Sequence, residues 1–158
     1  MNEEPKVTEQ EFHKKYAVNL FNHVWSILDK TSRTEEDEIA MIHAAHASVF
    51  HWSKIGTPNN IYVGEWQISR VYSALDHGEE ALYHAQKSLD ICEENDDFSP
   101  FDWAYAYEGM ARAHSVNGNE EESRKYLTLA KEKGEAIKDE EAKNMLVADL
   151  EAIKTKLG

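Results

Sequence analysis

Apolar residues recur along this chain at steps of three and four, interrupted by turn-forming and acidic clusters, and that period predicts a succession of helices. Thr8-Glu9-Gln10-Glu11 reads as a capping box that opens the first. Phe12, Tyr16, Leu20, Val24, Ile27 and Leu28 then mark one face as far as about Lys30. Thr34 with Asp37 opens a second helix, whose Ala40, Ala44 and Ala47, with Phe50 a turn on, suit close packing, and Gly56-Thr57-Pro58 ends it. A third is expected from about Asn60 to Leu75, its core face formed by Ile61, Ile68, Val71, Tyr72 and Leu75. The fourth runs from Glu79 to about Glu94. After a polar loop, Ser99 caps and Pro100 begins a fifth that reaches Val116. Asn119 with Glu122 starts a sixth, ending near Ile137, and Asp139 opens a last helix with Ala142, Leu146, Leu150, Ile153 and Leu157 on one side.

The pattern repeats. The stretch from Ile68 to Cys92 returns 42 residues later from Met110 to Gly134, each copy being a helical run, a turn signal (Asp76-His77-Gly78, then Asn117-Gly118-Asn119), an acidic cluster and a second run. Ala40, Ala81 and Ser123 align at the start of the second runs; Ala44, Ala85 and Leu127 follow four on, and Ala47, Ser88 and Ala130 seven on. The same register aligns His43 with His84 and Tyr126. A single hairpin cannot bury its apolar stripe, so copies must stack around a continuous core. The expected architecture is all-α, one domain over residues 1-158: an antiparallel helix-hairpin repeat solenoid of about seven helices. Its hairpins span about 8-55, 59-95 and 99-137, and a capping helix spans about 139-157.

In the second unit Ser69, Tyr72, Gly78, Glu80-Ala81, Ala85 and Ser88, and in the third Ala111, Gly118, Ser123 and Ala130, fall in an order that resembles the tetratricopeptide repeat. The family's usual first-helix glycine is replaced by Ser69 or Ala111, its aromatic by His114 in the third unit, and its closing proline is absent. The 42-residue spacing is similar to the extended repeats of kinesin light chains and bacterial peptide-sensing regulators. The resemblance implies a right-handed stack that binds peptides or protein segments in a concave groove lined by the first helix of each pair, without catalysis.

Charge narrows the partners. Net charge is -13, from 30 acidic and 17 basic side chains, which argues against a nucleic-acid backbone or an anionic membrane surface. Much of the excess lies in Glu35-Glu36-Asp37-Glu38, Glu79-Glu80, Glu120-Glu121-Glu122 and Asp139-Glu140-Glu141, each at a predicted helix start, where carboxylates complement the dipole. The single Cys92 excludes an internal disulfide, and beside Glu93 and Glu94 it is a poor nucleophile. No signal-like leader and no membrane-length apolar run occurs, so a cytoplasmic protein is expected.

Candidate chemistry sits opposite the predicted core face. Val63, Trp66, Arg70 and Ser73 share one stripe of the third helix, and the repeat places Tyr105, Glu108, Arg112 and Ser115 alongside. Trp66, Arg70, Tyr105, Glu108 and Arg112 are thus the expected ligand-binding groove, the arginines suiting a carboxylate and Glu108 an amine, unless Glu108 pairs internally. Reversing both arginine charges is expected to abolish capture with little effect on stability. His43 and His46 share a helical face and are the only metal candidates worth naming, but lack a third ligand in sequence; Trp25, Trp52 and Trp103 are read as packing residues. With no nucleophile elbow, phosphate loop or metal signature, no catalytic residue and no cofactor are expected. The expected function is a non-enzymatic binding module for a peptide or protein segment. A structural protein forming a homodimer, or a small-molecule or metal-binding protein using the helix-two histidines, are the alternatives.

Overall fold

The computed structural model of the chain describes residues 3, 4 and 6–158, and among them forms seven α-helices and no strand. They are α1 (Glu9–Leu28), α2 (Glu35–Ile55), α3 (Pro58–Ala74), α4 (Gly78–Glu94), α5 (Pro100–Val116), α6 (Glu120–Gly134) and α7 (Glu140–Leu157). Their starts follow local chemistry. Thr8 with Glu11, Thr34 with Asp37 and Ser99 with Asp102 each form a capping box. All four acidic clusters lie in a first helical turn or at its cap, on the positive end of a dipole. α2 ends at Ile55, capped by Gly56, where Gly56-Thr57-Pro58 was expected to end it. Pro58 is already the first residue of α3, where a missing amide costs no hydrogen bond, so α3 starts before Asn60. At the other end α6 stops at Gly134, short of Ile137.

Consecutive helices pack as the hairpins α1·α2, α3·α4 and α5·α6, and these stack through α2·α3 and α4·α5. The odd-numbered helices also touch one another, α1 to α3, α3 to α5 and α5 to α7, whereas neither α2 and α4 nor α4 and α6 make a comparable contact. Odd helices therefore form an inner layer and even helices an outer, splayed one, which curves the stack toward the inner layer. α7 closes the last hairpin by packing on both α5 and α6.

The second and third hairpins make the same contacts with the partners exchanged. In one, Ser69 Oγ of α3 donates to Ala81 O of α4 at 2.7 Å; in the other, Ser123 Oγ of α6 donates to Ala111 O of α5 at 2.8 Å. Likewise Tyr72 stacks on His84 with 15° between the rings, and His114 stacks on Tyr126 with 9°. A small donor against a small acceptor, and a phenol against an imidazole, fit the same space whichever helix carries each. The reversals between these helices use a left-handed residue at the same repeat position, Asp76 (φ 62) and Gly118 (φ 77). Gly78 serves differently: a Cβ there would meet the backbone of Asn117 at 2.8 Å, so it permits close stacking on the next turn.

The first hairpin shifts against the sequence register by one residue. Ser48 Oγ donates to Ala17 O at 2.7 Å just as Ser88 Oγ donates to Tyr62 O at 3.2 Å, so Ser48, not Ala47, is the counterpart of Ser88. The buried series is then Met41, Ala45 and Ser48, equivalent to Ala81, Ala85 and Ser88. The expected match of His43 with His84 fails for the same reason. A small-residue series in consecutive alanines (Ala44-Ala45) reads equally well in two registers. The core face of α1 is Ala17, Val24 and Ile27. Phe12, Tyr16 and Phe50 are exposed, because no described helix packs over that side of the first hairpin. On α3, Ile68 and Val71 are buried as expected, while Tyr62 joins them and Ile61, Tyr72 and Leu75 are only half-buried.

Candidate functional site

The inner layer presents one stripe per helix: Trp25 from α1, Val63, Trp66, Arg70 and Ser73 from α3, Tyr105, Glu108, Arg112 and Ser115 from α5, and Met145, Asp149, Ile153 and Lys156 from α7. All five residues expected in the groove, Trp66, Arg70, Tyr105, Glu108 and Arg112, meet there. Their mutual arrangement differs from an open arginine pair. Glu108 has 0% of its surface exposed. One of its oxygens accepts from Trp66 Nε1 at 2.9 Å, and the other pairs with Arg112, with Arg70 Nη1 at 3.8 Å. Glu108 is therefore an internal counter-ion rather than a receiver of a ligand amine. Tyr105 donates its hydroxyl to Asp149 Oδ2 at 2.7 Å, tying α5 to α7. Burial, reinforced by that hydrogen bond, pushes the Tyr105 phenol well above its usual range, so it stays a donor.

Arg70 occupies the middle. Its guanidinium lies 5.7 Å from the Trp25 ring centroid, and burial followed by the neighbouring Arg112 charge draws its pKa below the usual arginine range. Reversing both arginine charges cannot leave the fold intact, because it sets two new carboxylates beside the buried Glu108; the expectation of a merely local effect is corrected on that ground. Three hollows follow one another along the groove. One of about 190 Å³ between Val18, Phe21, Trp52, Asn60 and Val63 shares Val63 with an aromatic one of about 350 Å³, which also holds Trp25, Trp66, Phe101 and Tyr105. That one shares Trp25 and Arg70 with a third, of about 270 Å³, edged by Arg33, Arg112 and Lys156. The groove thus grades from apolar to cationic. Trp25, read from sequence as a packing residue, lines two of the hollows. Sequence reasoning missed Arg33 and Lys156, since Arg33 comes from the irregular α1–α2 turn and Lys156 from the non-repeating α7. A wider hollow of about 690 Å³ lies on the outer layer between α4 and α6, lined by Tyr83, His114 and Tyr126 among others.

The histidines serve contacts. His46 Nε2 meets Tyr72 Oη at 2.9 Å, His84 Nδ1 meets Glu65 Oε2 at 2.6 Å, and His43 is exposed. Among the described residues no group of three or more His, Cys, Asp or Glu is placed to hold a metal ion. Burial lowers the pKa of His46, His51 and His114, with the His84 charge adding at His46 and the His13 charge at His51. Each then binds its proton less readily folded than unfolded, so its contribution to stability is present above the ordinary value of 6.5 and is lost as pH falls through the lower folded value. A His46→Gln/His114→Gln variant should accordingly lose less of its urea midpoint between pH 7.5 and 5.5 than the parent. Cys92 is fully buried, and burial, with Asp102 and Glu93 nearby, pushes its thiol up to about 12, which leaves no nucleophile at neutral pH.

In sequence, no protein-family model matches this chain, and no curated protein matches it closely enough to count as a relative. No helix is long and apolar enough to cross a membrane among the described residues.

Proposed function

We propose that the chain is a tetratricopeptide-like, non-catalytic binding module whose inner groove recognises a peptide or protein segment, anchored by a carboxylate. The observation that supports this most is the convergence of stripes from α1, α3, α5 and α7 on one groove that is apolar at one end and carries Arg33, Arg70, Arg112 and Lys156 at the other. An extended segment laid along it places side chains against Val63, Phe101 and Tyr105 and a carboxylate near the arginines, where charge-assisted bonds contribute about 1.5–3 kcal/mol. Glu108 holds Arg112 in place for that role.

A pool of acetylated hexapeptides, read by fluorescence anisotropy, tests the reading. The Val63→Arg variant fills the floor shared by two hollows and should weaken the best binders by about ten-fold or more, equivalent to roughly 1.4 kcal/mol, with an unchanged urea midpoint. Tyr83→Arg, on the exposed outer side of α4, should leave them unaffected. The opposite ranking of the two variants counts against the groove. The exposed Phe12, Tyr16 and Phe50 favour a homodimer through the first hairpin as a second reading, and a monomer mass unchanged by concentration in sedimentation removes it.

A further inference from the structure

We propose that the centre of the groove is also a site for a small aryl carboxylate, a ring in the aromatic hollow and its carboxylate in the cationic one. The two hollows adjoin, because Trp25 and Arg70 belong to both. At about 350 Å³ and walled by Trp25, Tyr62, Trp66, Phe101 and Tyr105, the first is of the size of a small-ligand site. The Asp102 and Asp149 carboxylates that also line it already accept from Ser99 and Tyr105. Edge-to-face placement of Trp66 on Tyr105, at 90° and 5.7 Å, leaves ring edges and faces available to a third ring.

The cationic hollow is harder to explain without an anion. Arg33, Arg70, Arg112 and Lys156 gather within it, in a chain whose net charge is -13. Two ordinary roles for cations at this place are already filled. The hollow lies beside the carboxyl ends of α1, α3 and α5, where cations complement the dipole, but those ends are closed by their own turns. Asp29 N donates to Trp25 O, His77 N to Tyr72 O and Asn119 N to His114 O. Only Arg33 acts as a cap, through Nη1 to Leu28 O at 3.3 Å. Glu108, Asp29 and Asp149 are the carboxylates at hand against four cations; Glu108 is spent on Arg112, Arg70 and Trp66, and Asp149 accepts from Tyr105. Left without partners are Arg33 Nε, Arg112 Nε and Ser73 Oγ, all three buried and contributed by three different elements. A planar carboxylate matches a guanidinium edge, and an orphaned buried donor costs about 1–3 kcal/mol until something accepts from it. This inference goes beyond peptide recognition, since the ligand is a small molecule; it takes the same centre and would compete with a segment's carboxylate.

The test uses three naphthalene probes of one shape: 1-naphthaleneacetate, 1-naphthaleneacetamide and 1-naphthylmethylamine, titrated calorimetrically into the full chain. The acid should bind, the neutral amide should bind at least about ten-fold more weakly, and the cationic amine should not bind. Lys156→Glu, at an exposed position, should weaken the acid by about ten-fold, and Ser73→Leu, which fills the cationic hollow, should abolish binding. Both variants should keep the parent's urea midpoint. The protein's overall charge alone favours the amine, so amine binding equal to or tighter than acid binding overturns the inference. So does an acid affinity unchanged by both variants, or no acid binding at millimolar concentration. Hexapeptides bound by a chain that ignores the acid would remove this site and leave the peptide reading in place.

Discussion

Arg112→Ala is expected to destabilise the fold by about 3–5 kcal/mol, far more than the truncation of a groove-lining side chain ordinarily does. Arg112 is the main counter-charge of Glu108, a carboxylate with no exposed surface at all, and Arg70, at 3.8 Å, makes the weaker of its two ion pairs. Removing the guanidinium leaves a buried carboxylate held only by the Trp66 Nε1 hydrogen bond and the longer Arg70 pair, which offset its desolvation only in part. Glu108→Gln in the same chain should restore more than half of the loss, because the amide carries no charge and its oxygen still accepts from Trp66 Nε1. Urea denaturation of the three proteins measures both effects. A loss below about 1 kcal/mol for Arg112→Ala would mean that Glu108 is not held as an ion by this pair.

Leu146→Ala should cost about 2–5 kcal/mol, from lost burial and from a cavity that a helix end cannot collapse into. Leu146 is 1% exposed and packs with Ala104, Tyr105 and Ile137, and α6 admits it only because Gly134 lacks a side chain. The damage should be local. Hydrogen exchange ought to show α7 amides losing protection before those of α3, since α7 contacts only α5 and α6. Because Met145, Asp149, Ile153 and Lys156 of α7 form one wall of the groove, ligand affinity should fall along with that protection. Uniform loss of protection through all seven helices would contradict a stack built of hairpins with a separate cap.

How much of this was legible beforehand depended on which interaction dominated locally. Helix starts were readable because capping is a contact between residues three apart, as at Thr8, Thr34 and Ser99. The repeat itself was readable because stacking demands small residues at fixed positions, Ala81, Ala85 and Ser88 among them. The first unit went wrong by one residue, since Ala44 and Ala45 fit equally well and the decisive feature, Ser48 reaching Ala17 O, lies between helices. Phe12, Tyr16 and Phe50 looked like core by period alone, but what covers a helix face is decided by neighbours rather than by the helix. At the groove, repeat spacing placed Arg70 beside Arg112 correctly. It left undecided whether Glu108 faced a ligand or an arginine, because an i,i+4 pair and an open site share one pattern. Arg33 and Lys156 had no repeat partner to announce them.

The four tryptophans allow one direct measurement of where recognition occurs. Trp25 and Trp66 line the aromatic hollow, Trp52 borders the small hollow at the apolar end, and Trp103 packs away from the groove beside Tyr107. In a ¹H–¹⁵N spectrum of the labelled protein their indole N–H groups give four signals, to be followed while the tightest hexapeptide of the pool is added. The account predicts that the Trp25 and Trp66 signals move with saturation while Trp103 stays fixed. Movement of Trp103 with Trp25 and Trp66 unmoved would place recognition outside the inner layer and contradict it.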